Sequence, residues 1–122
     1  MAAVLLDTTV LIDVLRGRPS TVARLLSLRE ARDTPCVCAI NVEEVARGLR
    51  AREEGDALRL FSGLRVVPLG EAEGWQAGEW RRRFAERGRT LSQADCLVAA
   101  AAHSIRARLA AGDLRDFPLE GA

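Results

Sequence analysis

Lysine is absent from this sequence, histidine occurs once, and no long hydrophobic run interrupts the 122 residues. A membrane-spanning helix needs about 20 consecutive apolar residues, so we expect a chain that does not enter a membrane. The first residues lack the basic segment and small-residue cleavage site of a signal peptide, which favours a cytoplasmic location. All 18 basic residues are arginine, but the net charge of only +1 gives no general positive field for a nucleic acid.

Three cysteines are too few, and wrongly spaced, for a structural zinc site. Cys36 and Cys38 alternate along an apparent strand, Cys96 stands alone, and His103 is the only histidine. Zinc sites use CxxC-like spacing with further Cys or His ligands. We therefore expect buried free thiols in one domain, residues 1–122, whose 48% hydrophobic content is enough for a proper core.

The first residues form the clearest structural signal. An apolar run ends at Leu6 and is followed by Asp7, Thr8 and Thr9, after which the apolar spacing becomes helical. Such a run predicts a strand buried on both faces, with Asp7 at its carboxyl end, where open α/β sheets bind ligands. Asp7 or Thr8 would equally suit the N-cap of the next helix. This stretch alone leaves both interpretations open.

Strands and helices alternate along the rest of the chain. We predict strands over residues 2–6, 36–40, 64–69 and 106–111, with Pro68 ending the third strand or marking it as an edge. Helices are predicted after Asp7, from Ser20, from Asn41, over 57–64, over 71–87 (with Trp75, Trp80 and Phe84 available to pack) and from Ser92. This alternation predicts an α/β fold, a three-layer α/β/α sandwich with a small, mostly parallel sheet.

Acidic residues recur just after strands or in the first turns of helices. Such acids also suit capping boxes and the helix dipole, and each one taken singly has that structural explanation. Strand ends meet at one edge of a parallel sheet, where several carboxylates would repel one another unless a cation joined them. Oxygen ligands without His or Cys favour Mg²⁺ or Mn²⁺, whose natural chemistry here is phosphodiester hydrolysis. The positions are Asp7, Glu43, Glu44, Asp95, Asp113 and Asp116.

Four segments resemble, in order, the motifs of PIN domains, and most closely those of VapC-type toxin ribonucleases. They are residues 4–17 (VLLDTTVLIDVLRG), 40–48 (INVEEVARG), 88–100 (GRTLSQADCLVAA) and 109–117 (LAAGDLRDF). The resemblance covers nearly the whole chain. It differs at the end, where most such toxins continue into a final short strand; we expect a shorter sheet edge here.

The resemblance implies a Mg²⁺- or Mn²⁺-dependent endoribonuclease acting on single-stranded or looped RNA. Asp7 and Asp95 match the principal metal ligands, and Glu44 and Asp116 complete the catalytic acidic quartet. Asp113 and Thr8 match supporting positions, Thr8 as a hydroxyl that would orient Asp7 or touch the water shell. The resemblance also implies a cognate VapB-like antitoxin, with a helix in the groove between the early helices, and a homodimer or a toxin–antitoxin hetero-oligomer.

Two other classes of protein stay open. A catalytically silent PIN-fold module would bind RNA or protein without turnover, and metal titration would separate it from the enzyme. A receiver-like phospho-acceptor domain needs a late lysine, which this chain lacks. Near the expected cleft, Arg16, Arg18, Arg47 and Arg50 could bind RNA phosphates, although any single one is an ordinary solvated residue by default.

Overall fold

The computed structural model describes residues 2–110, which form one parallel sheet with helices on both faces. The strands are β1 (Ala3–Leu6), β2 (Thr34–Cys38), β3 (Arg65–Val67) and β4 (Arg108–Ala110). Their order across the sheet is β3-β2-β1-β4, and every pairing is parallel. The predicted α/β/α sandwich is therefore confirmed, with β1 at the centre and β3 at an edge.

Six helices connect and cover these strands. They are α1 (Thr8–Leu15), α2 (Pro19–Glu30), α3 (Ala39–Arg47), α4 (Glu54–Ser62), α5 (Glu71–Glu86) and α6 (Gln93–Ser104). None of the helices within residues 2–110 is long and apolar enough to cross a membrane.

Alternate residues of β1 supply the two cores of the sandwich. Val4 and Leu6 pack with apolar side chains of α1 to α4 on one face of the sheet. Leu5 packs on the other face with Cys36, Cys38 and residues of α6. All three residues are at most 1% exposed, which confirms the prediction that the first strand is buried on both faces.

A third cluster joins α5 to α6. Trp80 and Ala77 of α5 pack against Cys96 and Ala100 of α6, and the ring of Trp80 meets that of His103 edge-to-face, with centroids 5.8 Å apart. Trp75 lies on the opposite face of α5 and is 71% exposed. Of the two tryptophans, only Trp80 therefore belongs to the core.

Several predicted boundaries were wrong by a few residues. The second strand ends at Cys38 and α3 begins at Ala39 rather than at Asn41. The second helix begins at Pro19, with Arg18 rather than Ser20 as its N-cap, because proline's fixed φ suits the first helical position. The fourth helix begins three residues before the predicted start, at Glu54.

Other predictions of local structure are confirmed. Gly17 and Gly88 follow the ends of α1 and α5 with φ of +72° and +74°, a conformation that costs glycine little. Pro68 directly follows β3 at the sheet edge. The three cysteines are free and buried.

Candidate active site

Asp7 lies where β1 ends and α1 begins. Its backbone N–H donates to the carbonyl oxygen of Ala110 (2.9 Å) and its own carbonyl accepts from Leu11 N–H (3.1 Å). The residue thus extends the pairing of β1 with β4 and also opens α1. Asp7 is the N-cap of α1, yet its side chain forms no capping hydrogen bond. Its carboxylate therefore does not cap α1, although the sequence had left that interpretation open.

The surroundings of Asp7 disfavour its charged form. Burial raises the pKa of the Asp7 carboxyl above its ordinary value of 3.8, and the negative charges of Asp95 and Glu44 raise that pKa further. The backbone N–H groups of Thr8 and Thr9 act in the opposite direction. Carboxylates influence one another in this way only at short range. The fold has therefore brought together acids that lie 37 and 88 residues from Asp7 in the sequence.

Glu44 is oriented by a chain of hydrogen bonds that begins in the core. Thr8 Oγ1 donates to Glu44 Oε1 at 2.6 Å, and Asn41 Nδ2 donates to Thr8 Oγ1 at 3.3 Å. Asn41 Oδ1 accepts from the backbone N–H of Cys38 at 3.0 Å. Because these contacts tie α3 to the start of α1, the Glu44 carboxylate is fixed relative to Asp7.

Asn41 is the residue whose role the sequence analysis missed. The prediction placed it at the start of the third helix; it is instead the third helical residue, and it reaches back to the N-cap residue Cys38. Its side chain is fully buried. A buried amide needs polar partners, and here those partners hold the site. The available signal was a lone amide directly after an apolar strand.

Thr8 and the two adjacent glutamates are placed more specifically than predicted. Thr8 donates to Glu44, whereas the prediction had it orient Asp7 or touch the water shell. Glu43 is exposed and lies 3.8 Å from Arg47, its partner one helical turn later. Of the pair, Glu44 is therefore the residue that faces Asp7, as the motif spacing suggested.

Asp95 is held through its backbone. It lies in the first turn of α6, where its N–H donates to Ser92 Oγ at 2.9 Å, so one half of the expected capping box is formed. Within residues 2–110 no hydrogen bond or ion pair engages the Asp95 carboxylate, which is exposed. The Asp95 carboxylate is thus left free, and its negative charge acts on Asp7.

Two predicted site residues, Asp113 and Asp116, lie outside the described residues. The described chain ends at Ala110, whose carbonyl is bonded to Asp7 N–H. Within that part of the chain, no three His, Cys, Asp or Glu side chains lie close enough to hold a metal ion by themselves. Of the predicted quartet, the described residues contain Asp7 and the two acids whose charges act on it, Glu44 and Asp95, and these three do not by themselves form a metal site.

Three of the four arginines proposed to bind phosphate already have acidic partners. Arg16 lies 3.3 Å from Glu53, Arg18 lies 3.3 Å from Asp13, and Arg47 pairs with Glu43. Arg50 donates its backbone N–H to Glu53. These contacts are typical of surface ion pairs, and they make this group a poor choice for a phosphate site.

A separate groove lies between α1, α2 and α4. Its volume is about 310 Å³, and its lining combines apolar with charged side chains: Val14, Leu15, Leu25, Leu60, Arg29, Asp56 and Arg59. Leu26 and Leu58 on the same helices, α2 and α4, are 52% and 63% exposed. Exposed apolar side chains beside a groove are typical of an interaction surface.

Comparison with known proteins gives consistent results. The family profile of the PIN domain matches residues 4–118. Ribonuclease VapC10 of Mycobacterium tuberculosis is 31% identical over 117 residues, which are 95% of this chain and 86% of that protein. Ribonuclease VapC19 of the same organism is 28% identical over 94% of this chain and 92% of that protein.

Solved structures share the fold. VapBC2 from Rickettsia felis, bound to a DNA fragment from its promoter, superposes with a TM-score of 0.81 at 20% identity, covering 94% of this chain and 90% of that chain. FitAcB from Neisseria gonorrhoeae gives a TM-score of 0.72 at 30% identity, covering 93% of this chain and 90% of that chain.

Proposed function

The chain belongs to the PIN domain family, and from this membership we propose that it is an endoribonuclease, the toxin of a toxin–antitoxin pair. The observation that carries the proposal is the convergence of Asp95 and Glu44 on the half-buried Asp7. Relatives named ribonucleases, VapC10 and VapC19, extend over most of this chain. The proposed substrate is single-stranded or looped RNA, cut at internal phosphodiester bonds in the cytoplasm.

A divalent cation is part of this proposal, and the donor groups suit Mg²⁺ or Mn²⁺. Asp7 and Asp95 would be the principal ligands, with Glu44 and Asp116 completing the set, and all four offer carboxylate oxygen. Burial raises the pKa of the nearby Cys38 thiol, and Glu44 and Asp7 raise that pKa further. Since the thiolate is the metal-binding form, Cys38 is a poor ligand. His103 packs against the ring of Trp80, so it is not counted among the proposed metal ligands.

Ala110 lies beside Asp7, which supports the proposed roles of the two acids outside the described residues. Asp113 and Asp116 follow Ala110 by three and six residues. Since a residue spans at most about 3.6 Å, Asp113 and Asp116 can be no further than about 11 and about 22 Å along the backbone from Ala110. We assign Asp116 to the quartet and give Asp113 a supporting role.

The side chains would divide the work of hydrolysis. When bound, the cation supplies positive charge against the phosphate oxygens and makes a water molecule more acidic. Glu44 or Asp116 accepts a proton from the attacking water. As the water oxygen bonds to phosphorus, the bond from phosphorus to the 3′ oxygen breaks, and the departing 3′ oxygen takes a proton from solvent water, leaving a 5′-phosphate and a 3′-hydroxyl. Thr8 occupies Glu44 Oε1, which leaves Oε2 for the proton.

The groove between α1, α2 and α4 is the proposed docking site for the antitoxin. Its apolar lining with Arg29, Arg59 and Asp56 suits one face of an amphipathic helix that carries a few charges. Structural neighbours include toxin–antitoxin complexes such as the one from Klebsiella pneumoniae, with a TM-score of 0.73. The predicted homodimer stays a prediction, for which the exposed Trp75 is available.

Cleavage of a total RNA pool by the purified protein tests the proposed activity. With Mg²⁺ we expect discrete products that are absent with EDTA and with Asp95→Ala. Glu44→Ala and Glu43→Ala form a matched pair of neighbours. Loss of a proton acceptor costs about 10²–10⁴-fold in rate, so Glu44→Ala should fall by at least about 100-fold, while Glu43→Ala, which loses only a surface ion pair, should stay within about twofold.

The alternative, a silent PIN-fold binding module, predicts a different result. RNA binding without products, together with no heat of Mg²⁺ or Mn²⁺ binding in calorimetry, would favour that module. Products that persist in Asp95→Ala would mean a contaminating nuclease and would contradict the assignment of the site.

A further inference from the structure

Positive charge is concentrated at the end of α5 and in the turn after it. Residues 81–89 contain five arginines and one glutamate, a net charge of +4 where the whole chain has +1. Arg83 is paired with Glu79 at 3.2 Å. The other four, which we name the α5 arginine cluster, are exposed and form no salt bridge with any residue in 2–110: Arg81, Arg82, Arg87 and Arg89.

The turn after α5 fixes two members of this cluster. Arg89 N–H donates to Phe84 carbonyl oxygen (2.8 Å) and Gly88 N–H donates to Ala85 carbonyl oxygen (3.0 Å). These are the two hydrogen bonds of a Schellman motif. The motif places the Cζ atoms of Arg87 and Arg89 at 5.6 Å and 5.4 Å from the centre of the Phe84 ring. Two guanidinium groups are thus held over one buried ring.

The cluster is joined to the helix that carries Asp95. Arg81 Nε donates to the carbonyl oxygen of Leu91 at 3.1 Å, and Leu91 directly precedes Ser92, the N-cap of α6. The cluster and the Asp95 carboxylate therefore lie at the same end of α6.

Structural roles do not account for so much charge. The C-terminal end of a helix carries only about half a negative charge, and Glu86 supplies the one carboxylate within 81–89. Guanidinium groups held close together repel one another unless an anion lies between them. Arginine is the side chain whose planar fork best matches phosphate, and an RNA strand presents phosphates in a row beside the bond to be cut.

We propose that the α5 arginine cluster binds the backbone phosphates of the RNA strand that flank the bond presented to Asp95. This inference rests on the proposed function and adds a binding site to it. In contrast to Arg16, Arg18 and Arg47, which are occupied by acids, these side chains have their charge available. They are positioning residues, so their contribution lies in RNA affinity rather than in the chemical step.

The test is the affinity of a labelled, single-stranded, mixed-sequence RNA oligonucleotide, measured by fluorescence anisotropy in EDTA over a range of salt concentrations. Arg82→Gln/Arg87→Gln/Arg89→Gln removes three cluster charges. Arg16→Gln/Arg18→Gln/Arg47→Gln removes three arginines that pair with acids, so both triple variants have the same net charge. Arg82→Lys/Arg87→Lys/Arg89→Lys restores the charge, and thermal unfolding checks that each variant is folded.

We expect the Arg82→Gln/Arg87→Gln/Arg89→Gln variant (the cluster triple) to weaken RNA binding by roughly tenfold or more. The magnitude of the slope of log K against log salt should fall by about 2, since each phosphate contact contributes ~0.7 for a single strand. The control triple, which removes the three acid-paired arginines, should keep an RNA affinity within about twofold of the parent. The lysine triple, which restores the cluster's charge, should recover the slope. With Mg²⁺, the cluster triple should raise KM and leave kcat unchanged.

Equal losses in both glutamine triples, or no loss in the cluster triple, would overturn the inference. Binding in EDTA is read without turnover, so this result is independent of whether the protein cleaves RNA. A chain that binds RNA through the cluster but yields no products keeps the cluster and loses the proposed ribonuclease activity.

Discussion

Replacing Asn41 with alanine should destabilise the fold strongly for a single polar side chain. Asn41 is fully buried, and it accepts from Cys38 N–H at 3.0 Å and donates to Thr8 Oγ1 at 3.3 Å. The Cys38 N–H would be left unpaired in a fully buried position, at about 1–3 kcal/mol. The lost bond to Thr8, which water can partly replace, adds about 0.5–1.5 kcal/mol. Together we expect about 1.5–4.5 kcal/mol.

This loss is measurable by urea and thermal unfolding followed by circular dichroism. For a domain of this size about 4 °C of Tm accompanies each kcal/mol, so the midpoint should fall by roughly 6–18 °C. Glu73→Ala is the matched control, because Glu73 Oε1 accepts from Gly70 N–H at 2.7 Å in the same motif at the exposed start of α5. There water replaces the lost partner, and the cost should stay below about 1 kcal/mol.

Equal costs for Asn41→Ala and Glu73→Ala would refute this reasoning, because burial of the Cys38 N–H would then add nothing. A double-mutant cycle with Thr8→Val locates the coupling. Residues in one hydrogen-bond network should show an interaction energy of about 0.5–1.5 kcal/mol, whereas Thr8→Val and Glu73→Ala should be additive.

Two further predictions concern the acid at the strand end and the tryptophans. In metal-free protein, Asp7→Asn should be more stable than the parent at pH 7, because burial and the charges of Asp95 and Glu44 raise the pKa of Asp7 in the folded state. The stability of the parent therefore falls as the pH rises above 3.8 through that raised pKa, and the difference between the two proteins should vanish toward pH 3.8. A parent that is more stable than Asp7→Asn in EDTA at pH 7 would contradict this prediction. Trp80→Ala should lower the free energy of unfolding in urea by about 3–5 kcal/mol, because Trp80 is 5% exposed between α5 and α6. Trp75→Ala should change it by no more than about 0.5 kcal/mol. Similar values for the two variants would mean that α5 and α6 are not packed as described.

The stability predicted for Asp7→Asn follows from what a site of this kind requires. Asp7 is kept half-buried next to two other carboxylates, an arrangement that burial and like-charge repulsion both disfavour. The Asp7 side chain forms no capping hydrogen bond, and the backbone N–H groups of Thr8 and Thr9 offset its burial only in part, since its pKa stays raised. A chain selected for stability alone would place a neutral cap here, which supports a functional reason for the acid.

Local patterns in the sequence were enough to predict the architecture. The apolar run of β1, the helical spacing after Asp7 and the glycines after α1 and α5 each depend on near neighbours in the chain. Strand–helix alternation then implies a parallel sheet, and a parallel sheet implies that Asp7, Glu44 and Asp95 share one edge. The supporting role of Thr8 came from the resemblance to PIN domains, which had it orient Asp7 or touch the water shell, and in the structure its hydroxyl donates to Glu44.

Boundaries failed where two local signals compete. Ser20 is a good N-cap, but Pro19 fixes a helical φ one residue earlier and α2 begins there. Ala39 and Ile40 read as strand residues because they continue an apolar run, yet Asn41 caps Cys38 from the third helical position and starts α3 sooner. In both cases the outcome depends on which backbone N–H finds a partner.

By itself the sequence determined how the helices and strands alternate and that Asp7 follows the first strand. Only the tertiary structure decided how side chains far apart in sequence meet. Asn41 and Thr8 are 33 residues apart, and Thr8 and Glu44 are 36 residues apart. Such contacts depend on how helices pack against the sheet, a property of the whole core that no short stretch of sequence encodes.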